Sequence, residues 1–385
     1  MIFYLSLFGA VTLFGYLLCN KTKLKYRDGI FVFSAVALLC FLSCIRYDVG
    51  FDYSYGGYTG LWNKVLKTPF SQFMTIDDEP GFTLFTYFLS LFGDNYQIFY
   101  IGTSILIAIL AGLFIYKECG SKVWGFFMLY GLGMYYCSMN LIRQTIAALI
   151  IAFAVPMIKK KRIIPYMLLV LLASTVHKSA LIMIPFYFIL QIKLTKVVLA
   201  LYTAVTLGIF LTSNIILKLV TKLWYGNYVG SIYLDYGNDW FYMIASIVFF
   251  AVIYIYRDKL CAEDSTNHIY VNCAFFYFFF WFIAWKHTLI DRFTMYFEPA
   301  VIIALYILIK RLYNETNMGN VRKKKRYIAV AFFVIVSVVM MNVIYLIEDG
   351  HGILPYQTVF TSEEYKIYYQ ALKMPESITM APEIL

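Results

Sequence analysis

Arg143 stands about one turn into an otherwise apolar run, Asn140-Leu-Ile-Arg-Gln-Thr-Ile-Ala-Ala-Leu-Ile. An ionisable group at mid-membrane costs about 2.5–3.5 kcal/mol on insertion scales and usually marks a site. Near a helix end an Arg can instead snorkel to the interface at little cost. Asn140, Arg143, Gln144 and Ala147 share one face by i, i+3 and i+4 spacing, so this polar stripe faces something other than lipid. Four other places carry similar chemistry. Arg46 closes an apolar run and is followed by Asp48, Asp52 and Tyr53. Glu79 opens Glu-Pro-Gly-Phe. His177-Lys178-Ser179 separates two apolar runs. Lys286, His287, Asp291 and Arg292 fill a turn before another. Each has a plainer reading: Arg46 as a flanking anchor, His177 as a turn residue, Asp52 and Glu79 as ordinary loop acids. A local Asp291–Arg292 pair is disfavoured, because adjacent helical residues do not face each other.

Arg binds phosphate oxygens with a planar fork and stays ionised. Carboxylates and imidazole accept protons near neutral pH. Metal chemistry is not expected. The four His are scattered, H-E-x-x-H is absent, and the seven Cys include no C-x-x-C. Cys40 and Cys44 share a helical face, a packing arrangement.

The elements that must position these groups are set by composition. The chain has 385 residues, 62% hydrophobic, 20% aromatic and 14% charged, with mean hydropathy +0.71. Soluble domains carry roughly 25% charged residues, and a soluble fold of this size would leave too much apolar surface wet. The net charge of +10 does not indicate nucleic acid, because the Lys and Arg sit in short blocks between apolar runs, as membrane topology requires. An all-α polytopic membrane protein follows, since backbone groups in hydrocarbon must be satisfied within helices.

Runs near 2–19, 29–45, 97–116, 122–138, 140–157, 163–177, 179–191, 197–213, 240–256, 269–285, 294–309 and 327–347 predict about twelve spans. The stretch 81–93 is too short to cross and reads as a re-entrant or interfacial helix. The first run lacks a basic leader and a small-residue cleavage site, and reads as a helix. Basic blocks at Lys21–Arg27, Lys159–Arg162 and Lys310–Arg326 go inside. That thread puts most of the 32 Lys and Arg inside and most of the 22 Asp and Glu outside. Both termini fall outside. Residues 1–385 then form a single integral membrane domain, with external regions at 46–96, 213–239 and 348–385. All the unusual charges face that one side.

In order and spacing these residues resemble the EpsG family of exopolysaccharide biosynthesis proteins, which is Wzy-like. The matching parts are Arg46-x-x-x-Gly50-x-Asp52-Tyr53, Glu79 with Gly81 and Phe82, Asn140-x-x-Arg143-Gln144, His177-Lys178-Ser179-Ala180 leading to Pro185, and Arg292 with Tyr296. The resemblance implies a metal-independent glycosyltransferase of the bacterial cytoplasmic membrane that polymerises undecaprenyl-pyrophosphate-linked repeat units for exopolysaccharide or capsule. It implies membrane lipids and a lipid-linked oligosaccharide as ligands, no cofactor, no nucleic acid, and a flippase and chain-length regulator as partners. Catalytic roles then fall to Arg143, Arg292, His177 and Asp52, and substrate binding to Arg46, Glu79, Asn140, Gln144 and Tyr53. Competing readings are a flippase for the same lipids, a glycosyltransferase using polyprenyl-phosphate sugars, and a membrane O-acyltransferase.

Overall fold

Long apolar runs broken by Gly, Pro and charge give helices throughout, seen in a computed structural model that describes residues 1–53, 57–77, 79–224, 237, 239–316 and 320–366 (backbone only over 219–224). Among the described residues every regular element is helical, and the only extended pairing is one isolated bridge between Arg46 and Thr358.

In chain order the helices are α1 (Ile2–Tyr16), α2 (Arg27–Cys44), α3 (Tyr58–Lys67), α4 (Pro80–Ser90), α5 (Gln97–Glu118), α6 (Lys122–Gly131), α7 (Met134–Asn140) and α8 (Ile142–Lys159). They continue with α9 (Ile163–Val176), α10 (Met183–Ile189), α11 (Lys196–Trp224), α12 (Trp240–Ile255), α13 (Arg257–Cys261), α14 (His268–Ala284), α15 (Glu298–Thr316) and α16 (Val321–Glu348). Seven helical segments are long and apolar enough to cross a membrane, or eight if Thr288–Tyr296 and α15, bent by 58°, count as one. This multi-pass architecture matches the expected class, but the count of about twelve is not reached by length.

The shortfall has local causes. Gly133, at φ 99°, divides the expected 122–138 span into α6 and α7, a conformation glycine adopts without steric cost. Helix α9 has 14 residues and α12 has 16. The expected 179–191 span is a 3₁₀ segment, Lys178–Ile182, followed by the seven-residue α10. Helix α4, with 11 residues and Pro80 at its first position, cannot cross. Helix α11 runs on to Trp224, past the point where an external loop was expected at 213. Of the expected external regions, residues 54–56, 78, 225–236, 238 and 367–385 lie outside the described residues.

Of the seven long segments, two lie mostly in the interior. The α8 window is 72% buried, and so is that of Ser265–Ala284, whereas that of Lys196–Lys218 is 11% buried. The buried α8 carries Arg143 near its start and Lys159 at its end, about 24 Å apart at 1.5 Å per residue. Lys159 pairs with Asp264 at 2.8 Å and donates to Asn267 at 2.7 Å; Arg311 pairs with Glu263 at 2.7 Å, and Lys259 pairs with Glu315. The basic blocks therefore gather at one end of the bundle and Arg143 sits at the other.

At the Arg143 end, the segment after α16 is strapped across the loop after α2. Tyr47 N donates to Gln357 O at 3.0 Å, Gly50 N to Gly352 O at 2.8 Å, Phe51 N to His351 O at 3.1 Å, and Val359 N to Ile45 O at 2.9 Å. These bonds satisfy backbone groups that no helix could, and they fix the loop that carries Asp52.

Candidate functional site

Glu79 is the hub of the Arg143 end. It is 3% exposed, held at the start of α4 where the chain turns in at Pro80. Its Oε2 lies 2.8 Å from Arg143 Nη1. Its Oε1 accepts from His177 Nδ1 at 2.7 Å and from the Lys178 backbone N–H at 3.0 Å. Burial alone would raise the Glu79 pKa, but the hydrogen bond and charge of His177, with those of Arg143, hold it down to about 2. The close approach that permits this comes at Gly81, where a Cβ would lie 2.2 Å from Thr175 Oγ1 on α9.

Arg143 is held from several sides. Asp77 Oδ2 lies 2.7 Å from the same Nη1. The guanidinium lies 5.1 Å from the Phe82 ring centroid and 5.7 Å from that of Tyr58. Nε and Nη2 have no hydrogen-bond partner among the described residues. One edge of the fork is anchored and the other remains available for an anion.

Asn140 and Gln144, on the same helical face by spacing, act as braces. Asn140 Oδ1 accepts from the Asp52 backbone N–H at 2.9 Å, and its Nδ2 donates to His351 Nδ1 at 2.8 Å. Gln144 Nε2 donates to the Arg292 carbonyl. The α8 stripe thus ties the Asp52 loop and the Arg292 turn to one rigid helix. Burial, followed by the Arg292 charge, pushes the His351 pKa down to about 3, so this imidazole is neutral.

Asp52, Glu79, Arg143, Gln144, His177 and Arg292 line one cavity of about 280 Å³. Asp52 is exposed, with no side-chain hydrogen bond or ion pair among the described residues. The surrounding protein pushes its carboxyl pKa above the ordinary value, while Arg292 and Arg143 pull it down. Asp52 and Arg292 also line a second cavity of about 150 Å³ that reaches Asp239, Trp281 and Glu348.

The cavity omits three of the expected substrate-binding side chains, Arg46, Tyr53 and Asn140. Arg46 is 1% exposed and packs 5.0 Å from the Tyr100 ring centroid, donating through Nη1 to Ser43 O at 3.0 Å and Ser104 Oγ at 3.2 Å. Tyr53 stacks on Tyr100 at 4.1 Å and donates to Gln97 Oε1 at 3.2 Å. Both brace the base of the loop that presents Asp52. Asn140 acts through its braces and lines the second cavity.

Sequence reasoning missed Asp77, Tyr58 and His351. The acidic run Asp77-Asp78-Glu79 was a signal for the first. Tyr58 was hidden among 35 tyrosines. His351 gave none, since its role depends on the chain end folding back. Among the described residues no group of His, Cys, Asp and Glu could hold a metal ion.

No curated protein and no solved structure matches the chain. A family model, that of the EpsG family, matches residues 29–358, from the start of α2 to the strap that closes over the Asp52 loop. The chain belongs to the EpsG family.

Proposed function

We propose that this protein is a polysaccharide polymerase of the bacterial cytoplasmic membrane, joining undecaprenyl-pyrophosphate-linked repeat units at the outer face for exopolysaccharide or capsule. The observation that carries the reading is the single cavity in which Arg143, Arg292 and His177 meet Asp52, at the end of the bundle away from the basic blocks. The positive-inside rule puts those blocks in the cytoplasm and the cavity at the outer interface. Counting α6 with α7, α9, the Lys178–Ile189 segment, α12 and the bent pair as crossings gives about twelve spans, with both termini outside.

In the reaction an acceptor sugar hydroxyl attacks the anomeric carbon of the donor glycan. The new C–O bond forms as the bond from that carbon to the diphosphate breaks, and its electron pair passes to the departing diphosphate. The hydroxyl proton goes to Asp52, whose position between the two cavities suits it to meet an acceptor. Charge grows on the leaving group, and the Arg143 and Arg292 guanidinium groups neutralise it from fixed positions. Glu79 and Asp77 prevent Arg143 from relaxing away. The His177–Glu79 pair supports a second assignment of the base, because an imidazole oriented by a carboxylate through Nδ1 presents Nε2 as a proton acceptor.

Membrane vesicles supplied with lipid-linked repeat units test the proposal. Arg143→Lys and Arg292→Lys keep the charge but lose the fork, and each is expected to lower polymer yield by about a hundredfold at equal expression. Near-normal yield from both would remove the diphosphate clamp. Vesicles that move the lipid-linked sugar across the bilayer without lengthening it would favour a flippase. Dependence on a polyprenyl-phosphate monosaccharide or on an acyl-coenzyme donor would reassign the reaction to another transferase.

A further inference from the structure

The second cavity contains chemistry that the diphosphate clamp does not use. It adjoins the first at Asp52 and Arg292 and extends under the bend before α15 to Asp239, Asp291 and Glu348, with Trp281 and Tyr242 in its wall. At about 150 Å³ it exceeds by roughly tenfold the 10–15 Å³ that one water needs by the same measure. That space suits a polar ring.

Two buried atoms here are unsatisfied. Trp281 is 7% exposed, and its Nε1 donor has no hydrogen-bond partner among the described residues; neither has Asp239 Oδ2. Trp281 stacks on Tyr242 with centroids 4.8 Å apart, and Tyr242 in turn donates to Glu348 Oε2 at 3.1 Å. Buried polar atoms without partners are costly and uncommon. Trp281 and Asp239 both line this cavity, and its polar wall suits a ligand bearing hydroxyl groups, each of which both donates and accepts.

The charge balance restricts which ligand. Four carboxylates line the cavity, from Asp52, Asp239, Asp291 and Glu348, against the guanidinium of Arg292. His351 adds no charge, being held neutral. Burial, then the neighbouring Asp291, pushes the Asp239 pKa up to about 8, as expected where like charges crowd a poorly hydrated space.

We infer that this cavity is the subsite for a sugar ring of the acceptor unit, and that it takes neutral or amino-bearing pyranosides and refuses uronic acids. The inference rests on the polymerase reading for the word acceptor. The binding preference itself rests on the cavity. Carboxylate acceptors reward the hydroxyl and ammonium donors of the first two classes. A uronic acid would add another carboxylate to a wall already crowded with acidic groups, and rejection by like charge is a common source of specificity.

The test uses the full-length protein purified in detergent, with methyl glucoside, methyl glucosaminide and methyl glucuronide as probes, followed by ligand-observed NMR at pH 7.5. The first two are expected to bind, and the glucuronide about tenfold more weakly. Asp291→Asn and Glu348→Gln, made singly and checked by thermal melting, are each expected to narrow that gap. Equal or tighter binding of the glucuronide would overturn the inference. So would an unchanged preference in both variants when both are folded. Polymer formation is scored separately on the natural lipid-linked substrate. The glycoside preference without polymer would count against the polymerase and leave the subsite standing, while polymer without the preference would do the reverse.

Discussion

Glu79 accepts a 2.7 Å hydrogen bond from His177 across 98 residues of chain, joining the start of α4 to the end of α9. Because Glu79 also holds Arg143 at 2.8 Å, two groups assigned to catalysis share one buried carboxylate. Glu79→Gln turns an amide N–H towards either the guanidinium or the Lys178 N–H and removes the charge that balances Arg143. Breaking a buried pair costs about 3–5 kcal/mol, and the remaining Asp77 contact puts the expected loss at the lower end. Thermal melting in detergent and polymer yield should fall together. A variant that melts within about 1 °C of wild type and polymerises normally would remove Glu79 from the site. The wild-type contribution also has an acid limit. The folded pKa of about 2 lies below the ordinary 4.5, so this stability is complete above about pH 4.5 and is lost as pH falls towards 2.

Gly50 tests the loop that carries Asp52. Its φ is 105°, and a Cβ there would lie 2.5 Å from the Met139 carbonyl oxygen. Gly50→Ala therefore meets both backbone strain, of order 1–3 kcal/mol, and a clash with the helix that ends at Asn140. The Asp52 N–H to Asn140 bond should loosen, lowering turnover more than protein yield. A Gly50→Ala protein with wild-type turnover would show that the Asp52 position is not set by this contact.

The membrane class and the helical fold were readable from composition and the apolar runs, and the polar end of α8 from residues 140–147, because a polar stripe on an apolar helix must turn towards protein or water and away from lipid. Arg143, His177 and Arg292 were marked by their place at the ends of apolar runs and Asp52 by the loop that follows one, and the fold draws all four to one cavity. Arg46 carried the same mark, yet it packs into the aromatic base of the loop. A charge at a helix end signals the interface and not the direction in which the side chain points. The expected count of about twelve spans is not reached by length where the chain uses breaks. Gly133 and the 3₁₀ turn at Lys178–Ile182 interrupt runs that hydropathy reads as continuous. The strap from 349 to 359 was illegible for a different reason, since its bonds to the loop after α2 run from backbone to backbone and leave no pattern in side-chain types.

His351 gives the strap a pH dependence. Its pKa is depressed by burial to about 3 from the ordinary 6.5, so the unfolded chain binds its proton more readily than the folded one. Stability from this group is complete above about pH 6.5 and declines as pH falls towards 3. His351→Gln, which keeps a polar partner for Asn140, should be less sensitive to acid than wild type over that range. Melting temperatures measured from pH 7 to pH 4 in detergent would decide it. Parallel curves for the two proteins would mean that protonation of His351 is not the destabilising event.

The identity of the base is decided by the acid side of the rate profile. Asp52 works only when ionised, and desolvation by the surrounding protein raises its pKa, so turnover should drop as pH falls through that raised carboxylate value. Asp52→Asn should lose about 10²–10⁴-fold in turnover, the range for removing a general base, and should lose the acid limb with it. His177→Gln keeps a donor for Glu79 and should lower the plateau while leaving the limb in place. Donor binding, followed with a non-polymerising lipid-linked unit, should survive Asp52→Asn, because that carboxylate makes no ion pair with the arginines that hold the diphosphate. If the limb instead disappears in His177→Gln and persists in Asp52→Asn, the proton passes to the imidazole that Glu79 orients, and Asp52 serves only to position the acceptor.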